Sequence, residues 1–392
     1  MNKSNILFFL NTFNDIDHIS PIIWKVLEKK DNAYIIFIND YDYTSDYRIS
    51  FLQKYSNLKI YKFPLAYKNS FIGKIIREIC YNRYYCTSFL KKLKINACVF
   101  EWDEIHKRGL LGNFFHAAKK EGIPTFCVPH GFSIYLNNKA SKNVISIYEK
   151  TGRGPDYSNR NGFDTYVYQS PHVLMRGIDW GQDPEKTFAW GCARYYPEWA
   201  KINLSLCPKF VPEKEVNSKI KVVFMLPHWD YNVDKEKCLD LIDKLIDKEW
   251  VYLIIKDHTR GVTGGLSNNL RKKYNSLHNV EASVSAHSPT LIEWSDIVIS
   301  FGSSIGIEVL LQDKHLINPS YLHSNRTIFD ETLACHLAKS HLVVMNLLKD
   351  YRNKVLKEIP LKNKDQLYRE VIYGGKEEFN VLEYYYNKIV NK

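Results

Sequence analysis

The sequence predicts an α/β protein made of two parallel-sheet domains, and three observations predict it. Short apolar runs suited to buried strands alternate with helix-patterned segments, first along the N-terminal half and then again along the C-terminal half. The 392 residues exceed one domain of ordinary size. A charged stretch containing a proline, KFVPEKEVNSK at 209–219, separates the two series. The expected division is an N-terminal domain over 1–208, a C-terminal domain over 209–375, and a terminal aromatic helix within 376–392 placed to pack back on the first domain.

Taken in order, 5–10 reads as the first buried strand. The polar stretch at 11–20 follows as a loop carrying Asn14, Asp15, Asp17 and His18, and Pro21 opens a helix with Ile22, Ile23, Val26 and Leu27 on one face. Further strands are expected at 33–39, 58–63, 97–100 and 125–128, with a helix at 110–120. In sheets of this kind ligands bind at the carboxyl ends of the strands. Glu101 and Asp103 after the fourth strand, and His130 after the fifth, are therefore candidates. Residues 137–163 are polar and read as a loop over the ligand, before a strand at 163–169.

The second half restarts with a strand at 221–226, followed by PHWD at 227–230 and a helix over 235–248. A strand at 251–255 runs into KDHTRG. Next comes the stretch the chain is organised around. A strand at 297–299 meets the turn Gly302, Ser303 and Ser304, with either serine a natural N-cap, and a helix over 305–311 carries Ile305, Val309 and Leu310 at helical spacing. A strand, a Gly-Ser-Ser turn and a helix present backbone N–H groups, hydroxyls and the positive end of a helix dipole, which suits a phosphate. A strand at 315–319 and a helix at 381–389 complete the pattern.

Composition bounds the function. Hydrophobic content of 45% and charged content of 25% describe a globular chain, and the apolar runs are too short to span a membrane. The N-terminus lacks a signal-peptide pattern. Eight cysteines without CxxC spacing read as reduced thiols in a cytoplasmic protein rather than a disulfide framework or zinc site. The net charge of +11 suits a polyanion or an anionic membrane face. With no nucleic-acid-binding signature, nucleic acid is not the expected partner. Residues 68–94 interleave Lys and Arg with Phe, Ile and Tyr, a basic amphipathic stretch suited to peripheral contact with the membrane or to a lipid-linked acceptor.

Polar groups recur just after the strands of the second half: Asp230, then His258 with Arg260, then Ser303 with Ser304, then 321–331. The first half offers Asp17, Glu101, Asp103 and His130. Two such edges make a cleft fit for moving a group from a nucleotide donor. No Walker A lysine motif or GxGxxG is present, which removes support for kinase, ATPase and dinucleotide chemistry. No DxD pair is placed to hold a metal-bound diphosphate, so no metal is expected and the leaving phosphate falls to helix N-terminus, hydroxyls and histidine.

This layout of two Rossmann-like domains resembles a GT-B glycosyltransferase. VPHG at 128–131, RYYPEW at 194–199, PHWD at 227–230, SFGSSIGIE at 300–308 and YLHSNRTIFDE at 321–331 resemble the bacterial β-Kdo transferases of O-antigen and capsule assembly, which use CMP-activated Kdo as donor. One departure is Thr259 after His258, where many CMP-sugar transferases have proline. The resemblance implies roles. His258, Gly302, Ser303 and Ser304 would bind the CMP phosphate, and Glu308 the ribose. Asp230 would be the nucleophile of a retaining double displacement; its residue type equally suits a helix-capping carboxylate. Glu149, Asp156 and His130 are the options for the acceptor's base, and Arg153, Arg160 and Arg260 for holding the Kdo carboxylate. The implied partners are the nucleotide-sugar donor and a lipid-linked glycan acceptor. A different GT-B activity, using CMP-sialic acid, a UDP-sugar or CDP-glycerol, and a non-catalytic assembly factor that binds glycan or membrane are the competing readings.

Overall fold

The computed structural model describes residues 3–38, 42–63, 80–101, 105, 109–216, 219–258 and 265–391. Asp103, Arg260 and the 68–79 part of the basic amphipathic stretch lie outside them. The chain forms two α/β units. The first comprises 1–132, 156–199 and 369–392, and the second 133–155 and 200–368.

The first unit is built on seven strands: β1 (Asn5–Leu10), β2 (Asn32–Phe37), β3 (Leu58–Tyr61), β4 (Ala97–Glu101), β5 (Thr125–Val128), β6 (Thr165–Tyr168) and β7 (Thr187–Ala189). They are parallel, in the order β3-β2-β1-β4-β5-β6-β7. Residues on both faces of β1 are buried, which explains its unbroken ILFFL run. The strand order reverses between β1 and β4, and a ligand crevice forms at such a switch point.

The first helix differs from expectation in a way that matters for chemistry. It spans Phe13–Glu28 and carries Pro21 inside it, so the supposed polar loop is two helical turns. Thr12 and Asp15 start the helix as a capping box. Asp15 is thereby fixed in the first turn and fully buried, with His18 on the same buried side. The terminal helix, Val381–Val390, packs within this unit: Tyr386 donates to Asp31 at 2.7 Å and Tyr385 to the Gly191 carbonyl at 2.9 Å.

The second unit has six parallel strands: β8 (Ile220–Met225), β9 (Val251–Lys256), β10 (Val280–Ala282), β11 (Ile297–Ser300), β12 (His315–Asn318) and β13 (His336–Leu337). Their order is β10-β9-β8-β11-β12-β13, with its switch point between β8 and β11. The carboxyl ends of β9, β8, β11 and β12 therefore stand side by side.

Two boundaries shift from the linear reading. The division falls between 199 and 200 instead of 208 and 209. Within the 209–219 stretch, Lys214 packs on the second unit, with Nζ donating to the carbonyls of Asn275, Leu277 and Val280. Residues 133–155, read as part of the first domain, group with the second. The cause is non-local pairing. Leu136 N donates to Arg326 O and Ile328 N to Ile134 O, each at 2.9 Å. Buried Asn325 satisfies both ends of its amide across the same seam: Nδ2 donates to Ala140 O and Tyr231 O, and Oδ1 accepts from Asn137 and Asn232. Within the supposed 137–163 loop, Lys142–Thr151 is a helix, capped by Ser141.

All eight cysteines are free, seven of them buried. Among the described residues no helix is long and apolar enough to cross a membrane.

Candidate functional site

In the second unit, PHWD follows β8 and brings His228 and Asp230 to the switch point. Asp230 does not cap a helix; Asp234 caps the Lys235–Ile246 helix, accepting from Lys237 N at 3.1 Å. The Asp230 carboxylate is 44% exposed, with Lys142 Nζ at 3.5 Å and His228 Nδ1 at 3.8 Å. A backbone bond from Lys142 N to Asp230 O, 2.9 Å, fixes the lysine there. His258, after β9, sets its ring perpendicular to that of His228 at 5.5 Å between centroids.

A relay of contacts joins this edge to the Gly-Ser-Ser turn. His228 meets Tyr231 edge-on at 5.4 Å, and Tyr231 stacks on Tyr135 at 5.1 Å. The Tyr135 hydroxyl donates to Gly302 O at 2.7 Å. Burial pushes that hydroxyl's pKa up, so it remains a donor at any working pH. Gly302 has a φ of +62°, and a Cβ there would stand 3.0 Å from the Tyr135 oxygen, so both backbone angle and space call for glycine. Ser303 Oγ accepts from Ile305 N at 3.3 Å. Ser304 occupies the N-cap position of the Ile305–Leu311 helix without a side-chain cap bond, and Glu308 is buried in its first turn. Tyr135→Phe is expected to cost about 1 kcal/mol of stability, measurable by urea denaturation.

The remaining candidates of the second unit are not gathered here. Glu149 is exposed near the far end of its helix, two turns or about 10 Å beyond Lys142. Arg153 is exposed just past that helix.

The first unit assembles a second group at its own switch point. Asp15 follows β1, Glu101 ends β4, and His130 follows β5. His130 Nδ1 lies 2.8 Å from Glu101 Oε2 and 3.5 Å from Asp15 Oδ1. Glu101 and Asp15 are buried, whereas the imidazole is 30% exposed. The carboxylate at Nδ1 selects the Nδ1–H tautomer and leaves Nε2 as the proton-accepting atom. The three facing atoms lie within 4.8 Å of one another, a spacing that disfavours two ionised carboxylates side by side. Arg160 and Asp156 lie in this unit as well, and each makes a local contact. Arg160 lies 3.5 Å over the Tyr157 ring and donates to the Tyr166 hydroxyl, and Asp156 accepts from Ser158 N at 2.9 Å.

Sequence reasoning missed Lys142, Tyr135, Tyr231 and the partnership of Asp15 with Glu101. A Thr-x-x-Asp capping pattern at Thr12–Asp15 was the available signal for the last. Nothing in the chain near Lys142 announces Asp230, because their approach follows from the Asn325 seam.

No family model matches the chain, and no curated protein matches it at a significant level. Solved structures do match over nearly the whole length. UDP-GlcNAc 2-epimerase from Methanocaldococcus jannaschii aligns with a TM-score of 0.57 at 14% identity, covering 93% of this chain and 98% of that one. UDP-GlcNAc 2-epimerase from Neisseria meningitidis, bound to UDP-GlcNAc, aligns at 0.54 and 15% identity over 92% and 95%. The glycotransferase of kitacinnamycin aligns at 0.50 and 10% identity over 94% and 95%. At these identities the likeness concerns the fold, and two parallel-sheet α/β units of seven and six strands are the GT-B-like fold of those enzymes.

Proposed function

We propose that the chain is a glycosyltransferase using a nucleotide-activated sugar, and that the donor is CMP-Kdo. The relay from His258 through His228, Tyr231 and Tyr135 to Gly302 carries this reading. It ties a carboxylate at one strand end to a hydroxyl-rich turn at the next, across the switch point of one sheet. The GT-B-like fold supports a nucleotide-sugar ligand, and the order of the sequence motifs supports CMP-Kdo among such ligands.

In this reading the turn at Gly302–Ser304 and His258 hold the CMP phosphate without a metal, and Glu308 serves the ribose. Asp230 attacks the anomeric carbon, an ester forms, and CMP leaves. The acceptor hydroxyl then attacks the same carbon, the Asp230–sugar bond breaks, and two inversions give retention. His130, whose Nδ1 is backed by buried Glu101 at 2.8 Å, takes the acceptor's proton at Nε2. Lys142, 3.5 Å from the Asp230 carboxylate, is the cation available to the donor's carboxylate. The acceptor is a lipid-linked surface glycan, reached at the cytoplasmic face of the membrane.

A second reading follows from the epimerase neighbours: a UDP-sugar as substrate. Calorimetry with CMP, CDP, UDP and UMP separates the two. The expected result is preferential CMP binding, weakened about tenfold or more, ~1.4 kcal/mol, by combined Ser303→Ala and Ser304→Ala. Preference for UDP would displace the Kdo reading in favour of a UDP-sugar enzyme. Binding of none of the four would count for a non-catalytic assembly factor.

A further inference from the structure

Asp15 is the least comfortable charged group in the first unit. Its side chain is fully buried. Oδ2 is well served, accepting from Asn11 N at 2.6 Å and Thr12 N at 2.7 Å. Oδ1 has no hydrogen-bond partner among the described residues. It faces Glu101, a second buried carboxylate, and the Nδ1 of His130 at 3.5 Å. That ring nitrogen is closer to Glu101, at 2.8 Å, and its one proton is directed there. Among the described residues no lysine or arginine is paired with Oδ1. Arg48 and Arg194 on neighbouring segments are both taken by Asp17, and His18 on the same helix pairs with Gln169 at 3.1 Å. Two buried carboxylates facing each other cannot both stay ionised cheaply.

We propose that Asp15 is a protonated positioning residue, whose carboxyl O–H at Oδ1 donates to Glu101 and so keeps one negative charge on Glu101, aimed at the Nδ1–H of His130. Oδ1 thereby changes from an acceptor without a donor into a donor with an acceptor. Glu101 is held from two sides, by Asp15 and by His130, and the imidazole is fixed in one tautomer. Burial, and then the charge of Glu101, push the Asp15 pKa from its ordinary 3.8 to about 8, against the opposing pull of His130 and the Thr12 N–H. The catalytic consequence rests on the proposed role of His130 as acceptor base. The proton itself does not, and it is tested without substrate.

The linkage has a definite sign. The folded chain keeps the Asp15 proton up to about pH 8, whereas the unfolded chain releases it near pH 4. Between these values the unfolded state binds fewer protons, so stability falls as pH rises. Asp15→Asn mimics the protonated acid: its oxygen can accept from Asn11 and Thr12 N–H while its amide donates to Glu101. The experiment is thermal unfolding of the full chain, wild type against Asp15→Asn and Asp15→Ala, from about pH 4 to about pH 8, with metal analysis of each protein as purified. Asp15→Asn is expected to match wild type within about 2 °C at the acid end and to exceed it by about 5 °C or more at the alkaline end. Asp15→Ala is expected to be less stable throughout. Equal destabilisation by Asn and Ala at the acid end would overturn the proposal, because an ionised Asp15 would then be the native form. So would a stoichiometric divalent ion in the wild type that Asp15→Asn loses, since a cation would then occupy the place of the proton. If CMP-Kdo proves not to be the donor, these unfolding results stand unchanged. Should the donor be confirmed, Asp15→Asn is expected to shift the alkaline limb of the kcat–pH profile, and Glu101→Gln to lose about a hundredfold or more.

Discussion

Asp230→Asn is expected to lower turnover by about a thousandfold or more while leaving CMP affinity within about threefold. The asymmetry is the informative part. A carboxylate that serves as nucleophile is needed when the glycosyl bond breaks, whereas the phosphate is assigned to His258 and the Gly302–Ser304 turn. The amide is isosteric and retains the backbone bond to Lys142, so fold and nucleotide site should persist. The side chain is 44% exposed and caps no helix, so little stability depends on it. Asparagine cannot form the ester, and quenched reactions analysed by intact mass should show a sugar on the wild-type chain but not on the variant. Lys142→Met, 3.5 Å from the same carboxylate, should raise KM more than it lowers kcat if that lysine holds the donor's carboxylate. Turnover in Asp230→Asn close to wild type would falsify the double displacement through this residue.

How much of this could be read from the chain depends on how local the cause is. The long apolar strands announce themselves: Asn5–Leu10, Thr125–Val128 and Val251–Lys256 lie where the hydrophobic runs put them. The Ile305–Leu311 helix and its Gly-Ser-Ser turn were equally plain, because the turn chemistry sits within a few residues of the strand it follows. The short strands Thr187–Ala189 and His336–Leu337 were missed; they lie at sheet edges, where two or three residues suffice. Pro21 drew the helix start eight residues too late, since proline marks first turns more often than interiors. The Thr12–Asp15 capping box outweighed it.

The candidate sites divide along the same line. That polar residues just after parallel strands gather at one edge is a property of the fold class, so Asp230, His258, Ser303 and Glu101 could be named from the sequence. Which of them meet is a matter of strand order. Asp15 and Glu101 are 86 positions apart and come together because β4 pairs with β1 across the switch point. Tyr135 reaches Gly302 because residues 134–136 pair with 326–328, an association with no local signal at either end.

Arg48→Leu is expected to cost about 3–5 kcal/mol of stability, a fall of roughly 10 °C in the unfolding of the first unit. Arg48 is fully buried and binds two carboxylates: Nη1 lies 2.5 Å from Asp17 Oδ1, and Nη2 lies 2.6 Å from Asp46 Oδ2 while Nε reaches Asp46 Oδ1 at 3.0 Å. Its guanidinium also covers the Phe13 ring at 4.4 Å. Leucine would fill part of the space but strand Asp46 and half of Asp17 without their charge partner. Burial alone would raise the Asp17 pKa, yet Arg194 and Arg48 hold it below its ordinary value. A depressed carboxylate stabilises the fold above its unfolded pKa near 4, and that contribution is lost as acid protonates the folded form. The difference between wild type and Arg48→Leu should therefore be full at neutral pH and shrink below about pH 4. Combining Arg48→Leu with Asp17→Asn and Asp46→Asn should recover part of the loss, because the cost lies in stranded charge and not in missing volume. The network acts on the site through geometry. Asp17 and Asp15 share the opening turns of one helix, so anchoring Asp17 to the segments of Arg48 and Arg194 fixes the rotation that points Asp15 at Glu101. A variant that keeps its charges but loses this anchor, such as Arg48→Lys, should remain folded yet broaden the His130 ring resonances in nuclear magnetic resonance spectra. Sharp, unshifted His130 signals in that variant would separate the stability of the helix from the positioning of the dyad.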